Sequence, residues 1–186
     1  MAKKIILPLI LFLVAAPQLL FADPFNVIKV YDGDTIKARQ DGTDIIIRLV
    51  GIDAPEISGD PHFPGQPYAL DAKEFLEGLI LKKAVQIKGY GYLKYNILMG
   101  EVLLGPGNVN LDMVRAGFGE VLKGEAPPVD LDLTPYHEEE KAARSAKRGI
   151  WGQGKRYISP KVWRKKLHSK SGAAILLYGI LQKSEK

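Results

Sequence analysis

A chain of 186 residues, 46% of them hydrophobic, can bury one sizeable core and carry short appendages. It contains no cysteine, which excludes a disulfide framework, a zinc–thiolate centre, a thiol nucleophile and a lipidated cysteine. A formal charge of +5 and a pI near 9.2 favour a polyanionic partner, although plain solubility accounts for the same balance.

In chain order, Lys3 and Lys4 precede an apolar run from Ile5 to Ala16 that Pro8 interrupts, and Ala22 stands just before Asp23-Pro24. That is the grammar of a secretory signal peptide over residues 1–22, and it predicts a secreted or periplasmic protein with no stable membrane span after cleavage. Leu20 is larger than the ideal residue three positions before the cut, and an uncleaved N-terminal anchor is the alternative.

Phe25 to Val30 alternates as a first strand that ends at Asp32-Gly33-Asp34-Thr35. Residues 35–39 and 44–50 are the second and third strands, joined by the glycine-bearing turn Gln40-Asp41-Gly42-Thr43. The third strand runs out through Arg48-Leu49-Val50-Gly51-Ile52-Asp53-Ala54-Pro55-Glu56. The hairpin between the two segments returns both acidic ends toward one rim. Taken singly, each segment is an ordinary turn or strand exit. Together they gather the hard oxygen donors Asp34, Asp53 and Glu56 around Arg48, and oxygen ligands are what Ca²⁺ takes. A cation and a guanidinium facing one space form an anion site suited to a phosphodiester.

Residues 58–67 hold Gly59, Pro61, Pro64 and Gly65 and read as a loop beside the site, with His62 solvated in it. Tyr68 to Leu81 reads as a first helix whose apolar stripe is Leu70, Phe75, Leu76, Leu79 and Ile80. Residues 84–87 and 98–104 pair as a long hairpin that carries Tyr90, Tyr92, Lys94 and Tyr95. Residues 110–116 form a second helix capped by Asn110 and stopped by Gly117, followed by a strand over 118–123. A third helix starts at Thr134-Pro135, runs from Tyr136 to about Lys147 with a mostly solvated charged face, and precedes Trp151, which fills the core. Residues 155–186 form a basic extension holding Lys155, Arg156, Lys161, Arg164, Lys165, Lys166 and Lys170, either a solvated tail or a foothold for an anionic surface. Its apolar segment 173–181 is too short to span a bilayer.

These segments carry a resemblance. Asp32-Gly33-Asp34-Thr35, Arg48 to Glu56, Gly65-Gln66 before Ala72-Lys73-Glu74-Phe75, Val109-Asn110-Leu111 with Val114-Arg115-Ala116-Gly117, and Ala142-Ala143-Arg144 through Gly149-Ile150-Trp151 come in the order of the staphylococcal-nuclease-like family. The resemblance covers about residues 24 to 152 and implies an α+β, mainly β fold. That fold is an OB-fold-like five-stranded barrel with three packed helices, occupying residues 23–154. It also implies Ca²⁺-dependent hydrolysis of phosphodiester bonds in DNA or RNA. Carried over position by position, it makes Asp34, Asp53 and the Ala54 carbonyl the metal ligands. Glu56 becomes the group that orients or deprotonates water, and Arg48 the group that stabilises transition-state charge.

The chain departs from the family at Leu93-Lys94-Tyr95-Asn96-Ile97, where Ile97 stands in place of a second arginine and reduced activity is expected. Lys94 and Tyr95 are the candidate substrate contacts of that turn, Lys94 for phosphate and Tyr95 for base stacking. Half-buried strand packing is the alternative for the tyrosines. The competing functional reading is a non-catalytic OB-fold module that binds nucleic acid or a partner. A monomer is expected on either reading.

Overall fold

The computed structural model describes residues 23–58, 65–124 and 126–166. The expected signal peptide, His62 and the apolar segment 173–181 lie outside them. Among the described residues the strands and helices follow in the order β1 (Phe25–Val30), β2 (Thr35–Gln40), β3 (Thr43–Leu49), β4 (Ile52–Asp53), α1 (Ala69–Ile80), β5 (Ala84–Tyr92), β6 (Leu98–Leu104), β7 (Gly107–Asn108), α2 (Val109–Ala116), β8 (Glu120–Val121) and α3 (Thr134–Ser145), with a further helical segment over 160–166. Strands β3-β2-β1-β5-β6 are antiparallel neighbours, and a parallel pairing of β3 with β6 joins the two ends into a closed five-stranded barrel. Closure leaves none of these five strands as a free edge.

Period-two alternation sends Ile36 and Ala38 of β2, and Ile47 and Leu49 of β3, into the barrel. In β1 the inward residues are Val27 and Val30, three apart, because the register against β2 shifts between Val27 and Lys29. The bulge turns the strand so that both valines face the core. Helix α1 covers one end of the barrel with Ala69, Ala72, Leu76 and Ile80, whereas Leu70 is 65% exposed and lies off the stripe expected for it. Small residues on that face bring the helix close to the Asp-Gly-Asp turn. A Cβ on Gly33 would sit 2.8 Å from the Cβ atoms of both Ala54 and Ala72.

Two expected helix caps are corrected by one physical fact: the side chain that satisfies a free helical N–H can lie before the apparent helix start. Asn108, not Asn110, caps α2, accepting from the N–H groups of Asn110 and Leu111. Asn110 is fully buried instead, accepting from the N–H of Val102 at 3.0 Å and donating to the carbonyls of Val50 and Gly100 at 2.9 and 3.1 Å. At α3 the Asp132 carboxylate accepts from the Thr134 N–H at 2.8 Å, so Thr134 is helical and not the cap.

The charged face of α3 is also less solvated than its composition suggests. Glu140 is buried and accepts from the Val121 N–H at 3.1 Å. Behind it, Gly117 and Gly149 touch backbone to backbone, and a Cβ on either would come within 2.3 Å of a carbonyl of the other segment. Trp151 is buried as expected, with Ile150 and Ala143, and the ring of Tyr157 packs on it at 4.7 Å.

Candidate active site

The register of the β2–β3 hairpin sets the first part of the site. Thr35 lies opposite Arg48, so the end of the Asp32–Thr35 turn meets the exit of β3. Asp34 is nearly inaccessible to solvent and is held from four sides. Its N–H donates to Asp32 Oδ1 at 3.0 Å, and the Thr35 hydroxyl donates to its Oδ1 at 2.9 Å. Its Oδ2 accepts from the Ala54 N–H and from Arg48 Nη2, both at 2.9 Å. The close packing at Gly33 lets the Asp34 carboxylate reach the Ala54 backbone. Burial pushes the Asp34 carboxyl up to about 7 against the opposing pull of Arg48, with Asp32 and Asp53 adding to the rise.

Strand β4 places Asp53, which pairs in register with Glu120 of β8. Arg48 Nη2 donates to Asp53 Oδ1 at 3.0 Å, so one guanidinium nitrogen bridges the two buried carboxylates. Burial works against the charge of Arg48, but Asp34 and Asp53 outweigh it and hold the guanidinium above its ordinary value.

Glu56 is fixed by its backbone. Its N–H donates to Gln66 Oε1 at 3.1 Å, and its carbonyl accepts from the Gln66 N–H at 2.9 Å. Gln66 is buried, and its Nε2 donates to the Ile158 carbonyl at 2.8 Å. One glutamine therefore ties the Glu56 loop to the C-terminal extension.

That extension supplies the residue missed by reading the sequence. Arg164, on the helical segment 160–166, donates through Nη1 to Asp53 Oδ1 at 2.9 Å and through Nη2 to Asp53 Oδ2 at 2.8 Å. Nη1 also donates to Glu56 Oε1. Hydrogen bonding to Asp53, then to Glu56, holds Arg164 above its ordinary value. Nothing local in a lysine- and arginine-rich tail sets one arginine apart from its neighbours.

Arg48, Asp53, Glu56 and Arg164 open into a cleft of about 990 Å³. Its other walls are Leu93, Ile97 and Met99 on one side and residues 126–131 with Leu133 on another. Ile97 thus faces the same space as both arginines. Lys94 and Tyr95 flank it in the turn but are exposed, Tyr95 by 92%, and do not line the cleft. Tyr90 does line it, donating its hydroxyl to Glu101 Oε2 at 2.6 Å.

Among the described residues no three acidic or histidine side chains converge as a preformed metal cluster. What the site holds is a buried carboxylate pair, Asp34 and Asp53, and the partly exposed Glu56, with guanidinium groups between them. Such a set can bind a hard cation and orient a water against a bound anion.

A family model of staphylococcal nuclease homologues matches residues 46–153. The chain belongs to the staphylococcal nuclease family. It is 33% identical over 159 residues to an uncharacterized endonuclease of Escherichia coli O157:H7, an alignment covering 85% of this chain and 95% of that one. It is 35% identical over 115 residues to the probable endonuclease LCL3 of Komagataella phaffii, covering 58% of this chain and 49% of that protein. A probable endonuclease of Schizosaccharomyces pombe is 34% identical over 135 residues, 65% of this chain and 56% of its own length. The barrel, the family match and these relatives identify the chain as a nuclease, a phosphodiester hydrolase with a nucleic-acid substrate. No helix among the described residues is long and apolar enough to cross a membrane.

Proposed function

We propose that this nuclease is a Ca²⁺-dependent endonuclease of DNA or RNA strands, acting as a monomer in a secreted or periplasmic setting. The observation that carries the reading is the convergence of Asp53, Glu56 and the Arg48 guanidinium on a cleft, with the buried Asp34 carboxylate behind them on the same guanidinium nitrogen. The donor set fits Ca²⁺, because Asp34, Asp53 and the Ala54 carbonyl are hard oxygen donors. In this reading Asp34, Asp53 and the Ala54 carbonyl hold the ion. When bound, Ca²⁺ supplies a Lewis acid that polarises a phosphoryl oxygen and offsets transition-state charge.

The chain's own groups do the rest. Glu56 accepts a proton from a water whose oxygen forms a bond to phosphorus. The ester P–O bond opposite breaks, its electron pair stays on the leaving oxygen, and that oxygen takes a proton from solvent. Arg48 donates to the phosphoryl oxygens as their charge grows, a contact stronger in the transition state than in the ground state. Lys94 and Tyr95, exposed on the turn between β5 and β6, contact the strand where it leaves the cleft. The secreted setting rests on Lys3 and Lys4, the apolar run after them and Ala22 before Asp23.

The test is hydrolysis of single-stranded DNA and RNA by the chain and by Glu56→Gln, with Ca²⁺ or with a chelator. Cutting is expected only with Ca²⁺, falling about 10²- to 10⁴-fold in Glu56→Gln while strand binding persists. Strand binding by folded native chain without any cutting would remove the catalytic reading and leave a binding module.

A further inference from the structure

We infer that Arg164 is the second phosphate-binding guanidinium of this site, carried into it by the C-terminal extension; this rests on the nuclease reading above.

The extension is built onto the barrel before it reaches the site. The Tyr157 ring packs at a tilt against Trp151, 4.7 Å between centroids, and its hydroxyl donates to the buried Glu120 at 2.5 Å. The Ile158 carbonyl accepts from Gln66, the same side chain that holds the Glu56 N–H. Trp163, next to Arg164, buries its indole N–H, and its side chain lines a second, smaller cleft beside Gln66 and Ile158. Arg164 therefore arrives from a docked segment, and it ends between the carboxylates of Asp53 and Glu56.

Arg48 alone does not present a full fork to the cleft, because its Nη2 already bridges Asp34 and Asp53. The wall formed by Leu93, Ile97 and Met99 offers no cationic side chain to an anion. Among the described residues, the cationic side chains lining the cleft are Arg48, Lys88 and Arg164. Of these, Lys88 lies on β5 with its ammonium 4.9 Å from the Tyr90 ring and 3.7 Å from Glu101. Arg164 touches the same Asp53 and Glu56 that the proposed reaction uses.

A guanidinium fork donates two parallel N–H···O bonds to a carboxylate or to two oxygens of a phosphate alike. In the substrate-free protein Arg164 forks Asp53. With a phosphodiester in the cleft, its donors pass to the phosphoryl oxygens, whose charge increases as the P–O bonds exchange. Asp53 and Glu56 are then released for their own roles.

The experiment compares the native full chain with Arg164→Ala, Arg164→Lys and the double variant Arg164→Ala/Ile97→Arg. It reads kcat and KM on single-stranded DNA with Ca²⁺, calorimetric affinity for thymidine 5′-monophosphate as a phosphate-ester probe, and circular dichroism as the check on folding. Arg164→Ala is expected to lower kcat about 10²- to 10³-fold and to weaken the probe about tenfold or more. Arg164→Lys should keep the charge and the fold yet recover only part of the rate. Ile97→Arg in the Arg164→Ala background should restore activity, because position 97 faces the same cleft.

Native-level kcat and probe affinity in Arg164→Ala, or a kcat that rises, would overturn the inference and leave Arg164 as a tie or a cover over Asp53. Should Arg164→Ala fail to fold, Arg164→Lys decides alone: full native rate and probe affinity would mean that charge suffices and no fork is used. Should the native chain cut nothing, the nuclease reading fails separately. Probe affinity then decides whether Arg164 binds phosphate.

Discussion

Asp34 is a carboxyl surrounded by donors and acids that share its buried space. Its ordinary value is 3.8, and burial pushes it up to about 7 in the folded protein. The folded state thus binds a proton that the unfolded state has lost across that window, and stability falls as pH rises through it. The contribution is fully present below about 4 and is gone above 7. Glu120, raised by burial against the pull of the Tyr157 hydroxyl, acts in the same direction. The carboxylates held low lose their contribution only in acid: Asp44 through its hydrogen bonds from Arg39 and Lys37, Asp132 through the Thr134 N–H, and Glu101, where burial is outweighed by hydrogen bonds from Tyr90, Tyr136 and Asn108. Ca²⁺-free protein is therefore expected to melt higher at pH 5 than at pH 8, and Asp34→Asn should flatten that slope. A melting temperature that rises from pH 5 to pH 8 would contradict the assignment. Because a bound cation needs the carboxylate ionised, the affinity for Ca²⁺ should tighten as pH rises toward 7 and level off above it.

The elements that present the site are pinned by a few buried polar side chains. Asn110, on α2, makes three hydrogen bonds to backbone groups of β6 and the β3 exit, where the Gly100 carbonyl also accepts from the Val50 N–H. Asn110→Ala removes the amide partner of the Val102 N–H and of the Val50 carbonyl, and one of the two donors to the Gly100 carbonyl. It should cost roughly 3 kcal/mol, read as a lowered urea midpoint at unchanged slope. Loss below about 0.5 kcal/mol would mean that water replaces the amide.

Local signals sufficed for much at this scale. The hairpin that brings Asp34 to Arg48, the extent of α1 and the burial of Trp151 follow from alternation, helical periodicity and turn residues. The same signals misplaced Leu70 and Asn110. Helical phase relative to the barrel and the choice between two nearby asparagines depend on what packs across from them.

For the whole molecule the governing quantity is how much like charge the fold concentrates around one cleft. Asp34 and Asp53 are each only 2% exposed, and in the free protein they are balanced by Arg48 and Arg164. A ligand that binds the folded state alone stabilises it by about 2.7 kcal/mol at a hundred times its Kd. For a chain of this size that is a rise in melting temperature on the order of 5–10 °C. Saturating Ca²⁺ should produce such a rise in the native chain and none in Asp53→Asn. An equal shift in both proteins would place the ion elsewhere.

By itself the sequence determined the acidic and arginine segments, the strand order around the hairpin, the family and so the barrel. These depend on residues close in the chain and on motifs read in order. Only the tertiary structure decided that Arg164 meets Asp53 and Glu56 across separations of 111 and 108 residues, and that Gln66 joins the Glu56 loop to Ile158. An ion pair at such a distance leaves no periodicity or spacing in the chain. It exists because Tyr157, packed against Trp151, and Ile158, held by Gln66, anchor the segment that brings Arg164 to the cleft.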